Sequence, residues 1–215
     1  MTTWAKADKR AVLLDAAARR FVAAGITRTT MEDIVREAAV GKATLYRYFP
    51  NKDAVVDALV ERERIRFDRL LREAAAGGAD AADGLLRAFV AGLQFLRTHP
   101  MLTKSLAEEP DRLLPYLTTR SGPIAETGIG VFGDLVTTGV VDGTLRSDLH
   151  IGWTAETLFR LLLSFFTVPP ITLPLEDEAA VGSYANGLIR GLTAEQPPFR
   201  RTRGREGHDN APPKE

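Results

Sequence analysis

The chain has 215 residues, 45% of them hydrophobic, and its 28 basic and 28 acidic side chains cancel. That length and apolar content can bury one large core or two small ones. The lack of cysteine excludes disulfides and thiol chemistry, the three scattered histidines (His99, His150, His208) offer no zinc set, and no run of about 18 apolar residues marks a membrane span.

No hydrophobic signal region stands at the N-terminus, so a cytoplasmic chain without metal, cofactor or membrane partner is expected. The charge is unevenly spread. Residues 1–76 carry 15 basic against 11 acidic side chains, residues 77–196 carry 8 against 14, and the last 19 carry 5 against 3. A basic end on an acidic body is the asymmetry expected where one end meets phosphate.

The chain reads as helical almost throughout. A first helix runs from about Lys6 to Ala24, with Leu14, Ala17, Phe21 and Ala24 on one face. Thr30 caps a second helix, with Asp33 at the N3 position of a near capping box. Met31, Ile34, Val35 and Ala38 fall at i, i+3, i+4 and i+7, a narrow apolar stripe. Gly41 breaks the pattern. A third helix restarts over Lys42 to Tyr48, with Leu45 and Phe49 turned inward, and Pro50 stops it. Asn51 caps a long helix over 52–76, rich in alternating charge, with Ile65, Phe67, Leu70 and Leu71 left to pack.

Beyond Gly77-Gly78, the span from Asp80 to Thr98 carries Leu85, Leu86, Phe89, Val90, Leu93 and Leu96, and His99-Pro100 ends it. A short helix to Glu109 and a Pro-punctuated segment with Pro110 and Pro115 follow. Residues 120–140 read as a helix holding Gly122, Gly128, Gly130, Gly133 and Gly139. Each interior glycine costs about 1 kcal/mol against alanine, so this helix is either bent or packed very closely. Asp142-Gly143 signals a turn. The most hydrophobic helix spans about Ile151 to Val168 and ends at Pro169-Pro170. A last helix, Leu175 to Leu192, has Val181, Tyr184, Leu188 and Leu192 on one stripe. After Gln196, proline, arginine, glycine and charge predict a disordered tail. The fold class is all-α with about nine helices: an N-terminal three-helix unit and a C-terminal bundle. No strand pattern or internal repeat is evident.

Residues 29–53 carry the most information. Two short helices joined by a tight turn, with basic and aromatic side chains on the exposed face of the second, form a helix-turn-helix built to enter the major groove. Lys42, Ala43 and Thr44 occupy the first turn of the second helix, where side chains meet base edges. Lysine donates to guanine O6 or N7, and threonine offers a hydroxyl and a methyl. Tyr46 and Tyr48 present hydroxyls to phosphate, and Arg47 reaches phosphate or is simply solvated. Lys52 stands at a helix start where a backbone phosphate could be held, and Thr29 and Thr30 stand at another. The plainer alternative is a solvated helix start and two half-packed tyrosines.

From about Asp8 to Asp57 the chain resembles the DNA-binding domain of the TetR family of transcriptional regulators. The resemblance rests on Phe21-x-x-x-Gly25, on Thr29-Thr30-Met31, and above all on Thr44-Leu45-Tyr46-Arg47-Tyr48-Phe49-Pro50-Asn51-Lys52-Asp53. Ala39 departs from the pattern where the family commonly has the turn glycine. Gly41 departs where it commonly has a capping serine. The resemblance implies a DNA-binding domain over 1–52, a ligand-binding and dimerisation domain over 53–196 and a tail over 197–215. It also implies the DNA-contacting roles given above.

The resemblance further implies a homodimer that binds a near-palindromic operator and responds to a small molecule, most simply as a repressor released by its effector. The helices over 151–168 and 176–192 are then the expected dimer interface, through Leu158, Leu162 and Phe165 on one and Tyr184, Leu188 and Leu192 on the other. The same stripes could instead build an internal core. An apolar or aromatic effector is expected between the helices of residues 85–170, among Phe89, Leu93, Leu96, Tyr116, Phe132, Trp153, Phe159 and Phe166. Tyr116, Thr157 or Trp153 would orient it, and residues 110–123 and the glycine-spotted helix would move. The other class considered is an all-α lipid carrier or enzyme. It would need a nucleophile–base or carboxylate pair. His99 and His150 have no partner at a telling spacing and read as surface or capping residues. Glu108-Glu109 and Glu176-Asp177-Glu178 read as helix-terminal charge.

Overall fold

The computed structural model describes residues 3–193, with side chains from residue 9 onward, so the expected tail over 197–215 lies outside the described residues. Among these the chain forms ten α-helices and no strand. They are α1 (Thr3–Ala24), α2 (Met31–Ala38), α3 (Lys42–Tyr48), α4 (Lys52–Ala76), α5 (Ala81–Thr98), α6 (Pro100–Glu108), α7 (Pro110–Leu117), α8 (Gly122–Asp142), α9 (Ile151–Thr167) and α10 (Glu178–Arg190).

The local signals work as their chemistry predicts. Thr30 Oγ1 accepts from Asp33 N while Asp33 accepts from the Thr30 backbone, a complete capping box. Asn51 accepts from Ala54 N and Asp80 from Asp83 N, setting the starts of α4 and α5. Ala39 ends α2 at φ 52°, the left-handed region, where glycine would sit without a Cβ penalty.

Two apolar cores result. The first joins Leu13, Leu14, Phe21, Ile34, Leu45 and Phe49 to Val55, Val56 and Leu59 of α4 and to Met101 of α6. This core therefore runs past residue 52. The second gathers Phe67 and Leu71 of α4, Leu85, Phe89 and Leu93 of α5, Phe132 and Val136 of α8, and Leu158 and Leu162 of α9. One continuous helix, α4, enters both cores.

Three expectations need correction. The Pro-punctuated stretch after Glu109 is a helix, α7, because Pro110 falls in its first turn, where the missing N–H costs nothing. The last helix begins at Glu178 rather than Leu175, since Asp177 accepts from Ala179 N and Ala180 N and sets the cap there. Helix α8 has 21 residues and mean hydropathy 1.3, long and apolar enough by those measures to cross a membrane. Here its buried face packs on α5 and α9, and its Asp134 pairs with Arg72 at 3.1 Å.

The glycines of α8 are explained by close packing at two positions. A Cβ on Gly128 would lie 2.2 Å from Phe159 Cδ2, and one on Gly139 would lie 2.5 Å from Leu145 Cγ. Gly128→Ala therefore forces the Phe159 ring out of place. Overpacking of this kind costs about 1–3 kcal/mol. Thermal unfolding of the variant is expected several degrees below the parent; an unchanged melting temperature would show that α8 and α9 are not held so closely.

Candidate nucleic-acid interface and ligand cavity

Helix α3 buries Leu45 and half-buries Thr44 and Tyr48, and leaves Lys42, Ala43, Tyr46 and Arg47 exposed. Phe49, just after it, is buried beneath the Arg10 guanidinium. Packing of Leu45 and Phe49 thus turns the basic and aromatic side chains outward. Lys42 Nζ pairs with Glu32 Oε1 at 2.6 Å, which raises the lysine pKa and, by the same hydrogen bond, lowers that of Glu32. Both side chains are exposed, so the pair is weak and easily exchanged for another acceptor.

Two expected DNA contacts are corrected. Thr29 is fully buried. Its hydroxyl donates to Gly25 O at 2.7 Å and Arg20 O at 3.3 Å, so it closes the α1–α2 loop. Lys52 Nζ donates to the carbonyls of Ile26 (2.8 Å), Thr27 (2.9 Å) and Thr29 (3.1 Å). An ammonium has three donors, and all three are used. Thr30 is exposed, and its side chain is engaged in the capping box.

The same loop is gripped from its other side. Glu109, between α6 and α7, accepts from Ile26 N at 2.6 Å and Thr27 N at 2.7 Å. Burial pushes its carboxyl up, but the Thr27 and Ile26 bonds and the nearby Lys52 charge outweigh that, leaving it below the usual carboxylate value. Two further links hold α7 and its C-terminal end to α4. Tyr116 donates to Asp57, and Arg120 pairs with the same carboxylate at 3.0 Å. Burial, then the Asp57 bond, pushes the Tyr116 hydroxyl up to about 12.

Behind this contact lies a cavity of about 80 Å³. Phe21, Ile26, Val56 and Leu59 of the first core form one wall, and Phe67, Phe95, Leu113 and Phe159 form others. Its polar lining includes the buried Glu63, whose Oε2 meets His99 Nε2 at 3.1 Å. Burial pushes the Glu63 carboxyl up, and His99 followed by Arg62 pulls it down, for a net lowering. His99 also caps α6, and His150 caps α9. A surface or capping role was expected of both; His99 caps but is nearly buried against Glu63. The His99–Glu63 contact spans 36 residues, and no short-range spacing signals it.

Of the expected effector contacts, Leu96, Tyr116 and Phe159 line this cavity. The others do not. Phe89, Leu93 and Phe132 are packed inside the second core. Trp153 is 71% exposed and stacks on His150 at 4.0 Å; Thr157 is also exposed. Phe166 borders a separate outer groove. Of the expected dimer residues, Leu158 and Leu162 are buried in the second core, so the internal-core alternative holds for them. Phe165 and Tyr184 meet edge to face at 5.4 Å, and Leu188 and Leu192 are partly buried. Sequence reasoning missed the share of the cavity supplied by Phe21, Ile26, Val56 and Leu59. Those positions read only as the core of the N-terminal unit.

Lys52→Met is expected to destabilise the N-terminal unit by about 2–3 kcal/mol, because three carbonyls lose a charged donor. Titration of DNA affinity against salt should keep its slope; a slope reduced by about one would mean that Lys52 contacts phosphate after all. The lowered Glu109 carboxyl adds stability that is complete above its ordinary value of 4.5 and is lost as pH falls through the lower folded value. Glu109→Gln should therefore flatten the loss of stability as pH falls below the ordinary carboxylate value of 4.5. Parallel acid-unfolding curves for parent and variant would contradict the clamp.

Three comparisons bear on this architecture. The family model for bacterial regulatory proteins of the TetR family matches residues 13–59. An HTH-type transcriptional regulator of Bacillus subtilis, YhgD, is 31% identical over 196 residues, covering 87% of this chain and 98% of its own. The HTH-type transcriptional repressor KstR2 of Rhodococcus jostii is 27% identical over 165 residues, covering 74% and 77%. Among solved structures, a TetR-family regulator of Pectobacterium atrosepticum shares the fold at TM-score 0.69, with 19% identity over 91% of this chain and 99% of its own. The helix-turn-helix geometry and the near full-length relationship to YhgD converge: the chain belongs to the TetR family of bacterial transcriptional regulators, not to a class of enzymes.

Proposed function

We propose that the protein is a ligand-responsive repressor that binds a near-palindromic operator as a dimer in the cytoplasm and is released by a small, largely apolar effector. The observation that carries this reading is the position of the cavity. Its walls come from the core under the helix-turn-helix and from the bundle, and Glu109 ties the α6–α7 corner to the loop before α2. A molecule that displaces α7 acts on the seat of the DNA-reading unit. It releases DNA only if it binds the non-operator conformer more tightly, so operator and effector each weaken the other. KstR2 is by name a repressor, which supports the direction of the effect.

Lys42, Ala43 and Thr44 are the proposed base readers, with Tyr46, Arg47 and Tyr48 on the backbone. Lys42 gives up only an exposed pair to Glu32 on reaching a base. For the dimer, the outer faces of α9 and α10 are the proposed contact, centred on Trp153, Phe165, Tyr184 and Leu188. Phe165 meets Tyr184 edge to face between the two helices, and Trp153, 71% exposed, stands about three turns back along α9. Exposed aromatic side chains of this kind mark an association surface.

Gel-shift titration against duplex DNA upstream of the protein's own gene is the first test. Two recognition helices on a two-fold axis require half-sites about 34–36 Å apart. Lys42→Ala should weaken binding and relax base preference by about 1–3 kcal/mol at one position, whereas Tyr46→Phe should weaken all sequences alike. Unchanged affinity and preference in Lys42→Ala would remove α3 from the groove.

Sedimentation tests the interface. Leu188→Asp should yield folded monomers and Leu162→Asp unfolded protein. A wild type that sediments as a monomer at micromolar concentration would contradict the dimer.

A further inference from the structure

We infer that the cavity selects a small, uncharged, mainly aromatic molecule with one hydroxyl or carbonyl oxygen, anchored by the side chain of Ser105. The inference rests on the reading of this cavity as the effector site. It begins from the one buried serine of α6. Ser105 lines the cavity and is 6% exposed, yet its hydroxyl makes no hydrogen bond among the described residues.

A helical hydroxyl has a ready partner in the carbonyl four residues back. Thr98, Thr103, Thr118, Thr127, Thr137, Thr138 and Thr167 all donate to that carbonyl. Ser105, more buried than any of them, does not donate to Met101 O. The hydroxyl makes no bond to the protein and its oxygen keeps some accessible surface, so an incoming oxygen atom can take up its unused hydrogen-bonding capacity.

Most charged groups on the same walls are already committed. Glu63 meets His99, Arg62 and Arg66. Arg64 holds both oxygens of Glu61 and donates to Thr127 Oγ1. Arg112 lies 3.8 Å from Asp53. Tyr116 donates to Asp57. An amine would lose its water without gaining a free counter-charge, and an anion could gain only Arg112, by displacing its weak, exposed pair with Asp53, so both are disfavoured against a neutral ligand. The rings of Phe21, Phe67, Phe95 and Phe159 supply apolar walls suited to a flat body. A site that meets a ligand hydroxyl with a buried partner discriminates strongly against the analogue that lacks it.

The test uses the full chain and four probes of similar size, each larger than the cavity of about 80 Å³ and so admitted only with the displacement of α7 that the proposed function requires: 4-methylphenol, 4-methylbenzaldehyde, 1,4-dimethylbenzene and 4-methylbenzoate. Calorimetric titration should show 4-methylphenol or 4-methylbenzaldehyde binding at least about tenfold more tightly than 1,4-dimethylbenzene, with 4-methylbenzoate the weakest. Which of the two oxygenated probes leads tells whether Ser105 accepts or donates. Ser105→Ala, a favourable helix substitution, should erase the preference while leaving 1,4-dimethylbenzene binding equal or tighter. Equal binding of all three neutral probes to the parent, or a preference that survives in Ser105→Ala, would overturn the role of Ser105 and leave the cavity as the effector site. Failure of all four to bind would overturn both.

Discussion

The five-residue loop from Gly25 to Thr29 is held by charge from two directions, and the relation between the two halves of the molecule depends on that grip. Lys52 takes three of its carbonyls and Glu109 takes two of its amides. Within the loop, Thr29 and Arg28 bond back to Gly25 and Ala24, and Ile26 is buried in the first core. Gly25 sits at φ 85°, where glycine is at ease, and a Cβ there would stand 3.1 Å from the Glu109 carboxylate. Ammonium and carboxylate share one peptide unit, Ile26–Thr27, whose carbonyl accepts from Lys52 and whose N–H donates to Glu109, so each polarises the bond the other makes there. Lys52 belongs to the helix that enters both cores, and Glu109 to the corner between two helices of the effector side.

This arrangement gives the molecule a defined route of coupling. α4 is continuous from the first core to the second, so its two ends cannot move independently. α7 is fastened to the first third of α4 through Tyr116 and Asp57, and its N-terminal residue follows Glu109 directly. Any occupant that separates Leu113 from Val56 must strain either the Asp57 contact or the Glu109 contact. Both act on the base of the helix-turn-helix, and neither touches the exposed face of α3. On the proposed function, the reading surface is therefore free to be specified by Lys42, Ala43 and Thr44, and the response by the cavity.

Much of the fold was legible because its signals are local. Thr30 with Asp33, Asn51, Pro50 and the Leu45–Phe49 spacing each act within four residues, and the structure uses them as read. The glycines of α8 offered two readings, and Phe159 and Leu145 decide for close packing. Functional residues were read less well wherever their role depends on partners far along the chain. Lys52 and Thr29 looked like phosphate ligands at helix starts. The acceptors of Lys52 lie 23 to 26 residues back, and those of Thr29 lie 9 and 4 residues back in a loop whose shape no spacing gives. Glu109 looked like helix-terminal charge, and its partners lie more than 80 residues back. Aromatic content pointed to Phe89, Phe132 and Trp153 as an effector site. Periodicity cannot tell a residue in the middle of a core from one at its edge, and the cavity lies where the two cores meet.

Residue-resolved amide hydrogen exchange at Ile26 and Thr27 tests the central claim most directly. The account predicts strong protection of both amides in the free protein, and a loss of that protection when the cavity is filled by a molecule that also weakens operator binding. Rapid exchange of both amides in the free protein, or operator release with their protection unchanged, would contradict the claim that Glu109 carries the signal between the two cores.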